Sequence, residues 1–233
     1  MVYLFVLLLM IALTRAMPEG VGQVVRRANE VSLRPRIGVP RTIRAAFIAP
    51  AAMAFATFAL GGFYAALTPG LLSQSLQQRN PATVGGLVAL FFGIGAVAAA
   101  MSDRVGGRAA ILASTLLLLI GLTLLVAAER THSMQLLVIA TFISGIAVAR
   151  GFRCSLQIVN QIAPEAHRAE LVSSYLLVCY TANSLPVIGV GLLSLAVAPP
   201  TAHLWFAALL ALLALVACAT GWKYVPAQSY RPA

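Results

Sequence analysis

Residues 109–128 read AAILASTLLLLIGLTLLVAA and contain no charged side chain. An α-helix rises about 1.5 Å per residue, so a helix of this length spans about 30 Å, the thickness of the hydrocarbon core of a bilayer. This stretch therefore predicts a membrane-spanning helix. Long apolar runs elsewhere in the chain predict further helices at roughly 1–15, 44–67, 83–101, 135–160, 170–195 and 203–222.

The composition of the whole chain supports this interpretation. Of its 233 residues, 61% are hydrophobic and 9% are charged, whereas soluble domains are about 45–50% apolar and about 25% charged. In lipid, only helices and closed barrels satisfy their backbone hydrogen bonds, and long Leu- and Ala-rich runs favour helices over the alternating segments of a barrel. The sequence predicts an all-α membrane protein, a polytopic bundle of about seven transmembrane helices.

The basic residues predict the side of the membrane on which each connector lies. If the first long connector is cytoplasmic and the helices alternate, fourteen of the sixteen basic residues fall on the cytoplasmic side, and Arg79 and Arg130 on the other. Cytoplasmic loops are enriched in Arg and Lys, so this orientation is favoured, with the N-terminus outside and the C-terminus cytoplasmic. Fifteen arginines against one lysine are typical of GC-rich bacterial genes, which indicates a bacterial inner membrane.

This topology divides the chain into four segments. They are a transmembrane helix at 1–15, a basic cytoplasmic linker at 16–43, a bundle of six membrane helices at 44–222 and a cytoplasmic tail at 223–233. The first helix is shorter than the ~20 residues that a span needs, and we interpret it as truncated. The helices at 109–128 and 203–222 are almost entirely Leu and Ala, so we expect them to face lipid over much of their surface.

A short loop between two apolar helices carries a distinctive set of residues, MSDRVGGR at 101–108. Asp103 favours the positive end of a helix, and Gly106 allows the chain to reverse tightly. Arg104 and Arg108 hold the loop on the cytoplasmic side. The segment resembles the signature loop of the major facilitator superfamily, Asp-Arg-x-Gly-Arg-Arg/Lys, which joins the second and third helices of each six-helix half. It departs from that pattern at Gly107, where the first basic residue of the closing pair is expected.

Two further segments resemble loops of the same family. Pro164, Glu165 and Arg168 match its loop between the fourth and fifth helices of a half, and Arg15 to Glu19 match the element that ends its sixth helix. By this resemblance, the six-helix bundle corresponds to family helices seven to twelve and the first helix to family helix six. The resemblance implies a secondary transporter that works by alternating access and whose first five helices are missing.

Polar residues on three helices are candidates for a substrate cavity. Thr57, Gly61, Tyr64 and Thr68 share one helical stripe, and Arg150, Arg153, Gln157 and Asn160 share another. The resemblance implies that these two helices line the central cavity, where Arg150 would favour an anionic group or a gate contact. The alternative is that both arginines extend towards the membrane surface. The candidate cavity residues are Thr57, Tyr64, Arg150, Gln157, Tyr180 and Asn183.

The sequence lacks the residues that several classes of function need. The six acidic residues all lie in predicted loops or at helix ends, so a proton-coupling carboxylate at mid-membrane depth would lie outside this chain. No catalytic, cofactor-binding or metal-binding motif is present, and the arginines lie between apolar runs, which argues against nucleic-acid binding. The sequence predicts neither an enzyme nor a protein with a cofactor.

These observations leave alternatives open. The favoured function is efflux-type secondary transport of a small, amphipathic solute. The expected partners are the bilayer, the solute and the missing N-terminal half. That half would be encoded by the same gene or as a separate chain, or a second copy of this chain would take its place. The alternative is a membrane assembly or sensor protein that does not transport and acts through its basic linker. In that case the arginines from Arg26 to Arg44 would contact anionic lipid headgroups.

Overall fold

The computed structural model describes residues 38–77, 80–101 and 108–224, together with Ala12 and Arg15, which are helical. The chain divides into two compact units, Met1–Pro35 and Arg36–Ala233, and the long described ranges belong to the second. Several predicted features lie outside the described residues. They are most of the helix at 1–15, most of the linker at 16–43, the loop residues Asp103, Arg104 and Gly106, and the tail beyond residue 224.

The described part of the chain forms seven α-helices. They are α1 Arg44–Ala66, α2 Thr68–Ser75, α3 Pro81–Met101, α4 Arg108–Arg130, α5 Met134–Ile162, α6 Arg168–Leu193 and α7 Pro199–Tyr224. Single turns of 3-10 helix precede α1 and α6. All but α2 are long and apolar enough to cross a membrane, and no strand occurs in the described ranges. The prediction of an all-helical membrane bundle is confirmed.

The short helix α2 was not predicted, because the sequence placed residues 68–81 in a connector. Pro69 lies in the first turn of α2, where its fixed φ suits a helix start and its missing N–H costs no hydrogen bond. The Thr68 hydroxyl donates to the Tyr64 carbonyl at 2.6 Å and joins α1 to α2. A segment predicted as a connector therefore packs on the bundle as a helix, with Leu71 and Leu72 buried.

Helix α1 lies at the centre of the bundle and packs against α5, α6 and α7. In its most apolar stretch, 72% of the residues are buried, compared with 44% in α4 and α5, 33% in α7, 22% in α6 and 11% in α3. The Leu- and Ala-rich helices α4 and α7 were expected to face lipid over much of their surface, and α3 and α6 have still fewer buried residues. Helices α3 and α6 therefore present a large face that no other described helix covers.

Two glycines allow the helices around the centre to approach closely. A Cβ atom on Gly62 of α1 would lie 2.3 Å from the Asn183 carbonyl oxygen of α6, and one on Gly145 of α5 would lie 2.7 Å from the Phe91 carbonyl oxygen of α3. Any larger residue at either position would force the two backbones apart. These contacts hold Asn183 and Phe91 beside the same cavity.

Each of the helices α1, α4, α6 and α7 has a basic residue at the same end of the bundle, which we call the basic end. It includes Arg44, Arg108, Arg168 and Lys223. The Arg108 guanidinium lies over the Trp222 ring at 5.5 Å. Pro164, Glu165 and Arg168 of the second predicted loop lie between α5 and α6, and Arg168 begins α6 in an exposed position.

Candidate substrate cavity

A cavity of about 500 Å³ lies between α1, α3, α5 and α6. This volume falls within the range of typical small-molecule sites, about 300–1,000 Å³. Most lining residues are small or aromatic, and only three carry a polar side chain. The lining residues are Thr57, Phe58, Gly61, Ala65, Phe91, Phe92, Gly95, Ala96, Ala99, Gly145, Val148, Ala149, Phe152, Arg153 and Asn183.

Four phenylalanines form the aromatic part of the wall. Phe58 meets Phe152 edge to face, with ring centroids 5.3 Å apart, and Phe91 meets Phe92 in the same way at 5.1 Å. Behind the wall, the Tyr64 ring stacks on Phe91 with centroids 4.2 Å apart. Aromatic pairs in these geometries stabilise each other beyond their buried area. The wall therefore offers fixed, flat apolar surfaces to a bound molecule.

Thr57 and Asn183 supply two of the polar groups. The Thr57 hydroxyl donates within its own helix to the carbonyl oxygens of Met53 and Ala54, both at 3.0 Å. Since a hydroxyl has one proton, Thr57 has only acceptor capacity left for a ligand. Asn183 lies on the exposed side of α6 and carries both an amide donor and an acceptor. The neutral polar groups of the cavity are therefore few.

Arg153 is the third polar group and the only charged one among the described lining residues. Its Nη1 donates to the carbonyl oxygen of Ala99, in the last turn of α3. The last four carbonyls of a helix have no partner within the helix, and a cation is favoured beside them. This contact fixes the guanidinium at the basic end of the cavity while most of its five N–H donors stay available.

The structure places the six predicted cavity residues in different environments. Thr57 and Asn183 line the cavity. Arg150 and Gln157 are half-buried on α5 and Tyr180 is exposed on α6, all outside the lining. Tyr64 is buried behind it, 1% exposed. Their roles in substrate binding remain predictions.

The lining stripe of α5 differs from the predicted one by a small rotation. Its members are Gly145, Val148, Ala149, Phe152 and Arg153, at spacings of three and four residues. The prediction instead followed polar residues from Arg150 towards the helix end. Arg153 belongs to both stripes. The glycine and phenylalanine before it, Gly145 and Phe152, are the sequence signal that would have distinguished the observed stripe from the predicted one.

A group of hydroxyls is buried behind the aromatic wall. Tyr64, Thr141 and Ser144 are each at most 1% exposed, and Thr141 donates to the Leu137 carbonyl at 2.7 Å. The hydroxyls of Tyr64 and Ser144 have no hydrogen-bond partner of normal geometry among the described residues, although the three side chains are neighbours. These three hydroxyls make the core of the bundle more polar, but they do not reach the cavity surface.

A buried titratable pair lies at the end of the bundle opposite the basic end. Glu129 Oε1 lies 2.8 Å from His203 Nδ1, and both residues are less than 10% exposed. The His203 ring also meets the Phe63 ring edge to face, at 5.2 Å between centroids. The sequence placed Glu129 at a helix end, and the structure shows that the last turn of α4 carries it into the interior.

A family model described as "Sugar (and other) transporter" matches residues 45–224. This range covers the six helices that are long and apolar enough to cross a membrane. No curated protein and no solved structure matches the chain. The matched family consists of membrane transporters and not of enzymes, in agreement with the sequence prediction. Together with the helical bundle and its cavity, this match shows that the chain belongs to the sugar (and other) transporter family of the major facilitator superfamily.

Proposed function

We propose that the protein acts in efflux-type secondary transport of a small amphipathic solute, by alternating access around the cavity between α1, α3, α5 and α6. The observation that carries this proposal is the make-up of the cavity wall, which has four phenylalanines, several small residues and only three polar side chains. Binding sites of this type hold apolar molecules and use a few polar groups to orient them.

The same wall argues against a sugar as the solute. A sugar carries hydroxyls on most of its carbons, and each hydroxyl that leaves water without a new hydrogen bond costs free energy. Thr57 offers only an acceptor, which leaves Asn183 and Arg153 as donors. An amphipathic solute loses little on entering such a site, because most of its surface needs no partner.

We further propose that a second set of helices, the missing N-terminal half, covers the open faces of α3 and α6. Tyr180 of α6 is 68% exposed, and Asn183 and Ser184 are also exposed. Polar side chains in membrane helices generally face a neighbouring helix or a water-filled cavity and not lipid. The second half, from the same gene or a separate chain, would place these residues at the centre of the complete transporter.

The proposed orientation has the basic end in the cytoplasm of a bacterium, with the N-terminus of the chain outside and its C-terminus inside. Described basic residues at that end include Arg44, Arg108, Arg168 and Lys223, whereas Arg130 lies at the opposite end. This asymmetry supports the orientation through the positive-inside rule. The six-helix segment at 44–222 would then be the transporting half, joined to the preceding helix by the linker at 16–43.

Filling the cavity tests the proposed function. Gly61 lines the cavity, and a Cβ atom at this position would meet nothing within 4 Å, so Gly61→Trp fills the cavity without straining the helix. Gly70→Trp is the matched control, since a Cβ atom on Gly70 would also meet nothing within 4 Å, but Gly70 lies on the short helix α2, outside the lining.

The measurement is the flux of labelled benzoate, glucose and ethidium across inverted membrane vesicles from bacteria that produce the protein. We expect protein-dependent flux of at least one amphipathic solute, reduced to background by Gly61→Trp and retained by Gly70→Trp. The absence of any protein-dependent flux would contradict the proposal, and so would equal flux in the two variants. Flux of glucose alone would contradict the choice of an amphipathic solute.

The linker distinguishes the transport proposal from the alternative of an assembly or sensor protein. Replacement of Arg26, Arg27, Arg34 and Arg36 by glutamine removes much of the linker charge. If the protein transports, vesicles matched for the amount of inserted protein should retain their flux. A complete loss of function in correctly inserted protein would favour the alternative.

A further inference from the structure

The charge of the cavity points to a class of solute. Among the described residues that line it, Arg153 is charged and none is acidic. Arg153 takes part in neither of the His–Glu contacts, His167 with Glu170 and His203 with Glu129. A cation inside a membrane helix is costly unless an opposite charge or a cluster of acceptors compensates it. The described lining provides one backbone carbonyl for this purpose.

The position of Arg153 makes this charge available to a solute. The α5 lining stripe runs from Gly145 to Arg153, a distance of about 12 Å at 1.5 Å per residue. The guanidinium stands at the basic end of this stripe, anchored on Ala99 at the end of α3. At the other end, Gly145 touches the backbone of Phe91. The cavity therefore carries its charge at one end of this stripe, with the phenylalanines along its walls.

We infer that the cavity takes a monovalent organic anion with a flat apolar body. Its anionic group binds Arg153, and its apolar body lies among Phe58, Phe91, Phe92 and Phe152. A guanidinium binds a carboxylate through two parallel N–H···O bonds, which fixes the orientation of the molecule along the cavity. This inference rests on the proposed transport function and names the class of its solute.

The test compares two probes of nearly equal shape. Binding of labelled benzoate to the purified full chain in detergent is measured by equilibrium dialysis, with benzamide and glucose as competitors. Benzamide has the same ring but no charge, and glucose has many hydroxyls and no apolar face. We expect benzoate to bind about 10- to 100-fold more tightly than benzamide, as a charged hydrogen bond predicts, and glucose to compete with neither.

Variants at two arginines locate the charge that matters. Arg153→Gln should weaken benzoate binding about 10- to 100-fold and leave benzamide binding unchanged. Arg44→Gln is the control, because Arg44 carries the same charge at the basic end but is exposed and lies outside the lining. It should leave the binding of both probes unchanged. If Arg153→Gln does not fold, Arg153→Lys is the second variant. It keeps the charge but lacks the paired donors, so it should weaken benzoate binding less than is expected for Arg153→Gln.

The result that overturns the inference is equal binding of benzoate and benzamide by the unmodified chain, which requires no variant. Equal weakening of benzoate binding by Arg153→Gln and Arg44→Gln would also overturn it, since the effect would then come from general electrostatics. A failure here is distinguishable from a failure of the proposed function. Ethidium flux that Gly61→Trp blocks would keep the transport proposal, while an absence of benzoate binding would remove the anion from it.

Discussion

Helices α4 and α7 pack against each other from end to end, whereas α3 and α6 leave most of their surface without a neighbour. At the basic end, Gly221 of α7 lies against Ile111 of α4, and near the middle Thr115 donates to the Ala214 carbonyl at 3.4 Å. At the opposite end Glu129 meets His203. The two helices with the simplest, Leu- and Ala-rich sequences, α4 and α7, thus pack firmly against each other. The helices with more glycine and polar residues carry the uncovered faces of the bundle.

This difference shows that hydrophobicity alone does not identify the lipid-facing helices of a membrane bundle. Lipid tails and leucine side chains are equally apolar, so a Leu- and Ala-rich face gains as much from a helix as from lipid. Polar residues are more informative, because they need partners. Those on α6 are the reason for proposing that a second half, and not lipid, covers this face.

The strongest way to break the α4–α7 contact is to remove one member of its buried pair. Glu129→Leu leaves the His203 imidazole buried without its 2.8 Å partner, and a buried hydrogen-bonding group that loses its partner costs about 1–3 kcal/mol in the free energy of unfolding, and more where the group is charged. Thermal unfolding of the purified protein in detergent measures the loss. The double variant Glu129→Leu, His203→Leu is the control and should recover most of the stability. A single variant as stable as the unmodified protein would show that the pair does not hold α4 to α7.

A smaller effect is expected where α6 meets the centre of the bundle. Gly62→Ala places a methyl group 2.3 Å from the backbone oxygen of Asn183, and overpacking of this kind costs about 1–3 kcal/mol. Gly86→Ala makes the same change on the open face of α3, where nothing lies within 4 Å, and should cost less than about 0.5 kcal/mol. Unfolding by heat or denaturant compares the two. Equal stability of both variants would mean that α1 and α6 are not in backbone contact at Gly62.

The smallest effect is expected on the open face of α6. Leu185 is 63% exposed in the chain, so Leu185→Ala should change the free energy of unfolding by less than about 0.5 kcal/mol. Leu210 of α7 is fully buried, and Leu210→Ala should cost about 2–5 kcal/mol in the same measurement. A large loss for Leu185→Ala in the isolated chain would show that another part of the chain already covers this face.

Much of the architecture could be predicted from the sequence, because the requirement to satisfy backbone groups in lipid leaves few alternatives. The six long helices begin and end within a few residues of the predicted limits, since prolines and charged residues mark them. Helix α2 was missed because it is short and polar and depends on packing against α1 and α3. The burial of Glu129 was missed for a similar reason, since its partner His203 lies 74 residues further along the chain.

The cavity was harder to predict than the fold. Thr57 and Asn183 were predicted and line it, but the choice among Arg150, Arg153 and Gln157 depends on how α5 is rotated. That rotation is set by contacts such as Gly145 against the Phe91 backbone, which polar residues alone do not reveal. The phenylalanines of the wall look like ordinary packing residues until four helices bring them together.

The two glycine contacts have a mechanical consequence. Where Gly62 meets Asn183 and Gly145 meets Phe91, backbone lies against backbone with no side chain between them to compress or change rotamer. Each contact therefore resists compression, so we expect α1 to move together with α6 and α3 to move together with α5. Under the proposed function, a molecule bound among these helices would move with them as a nearly rigid unit, and its release would depend on the motion of the proposed second half.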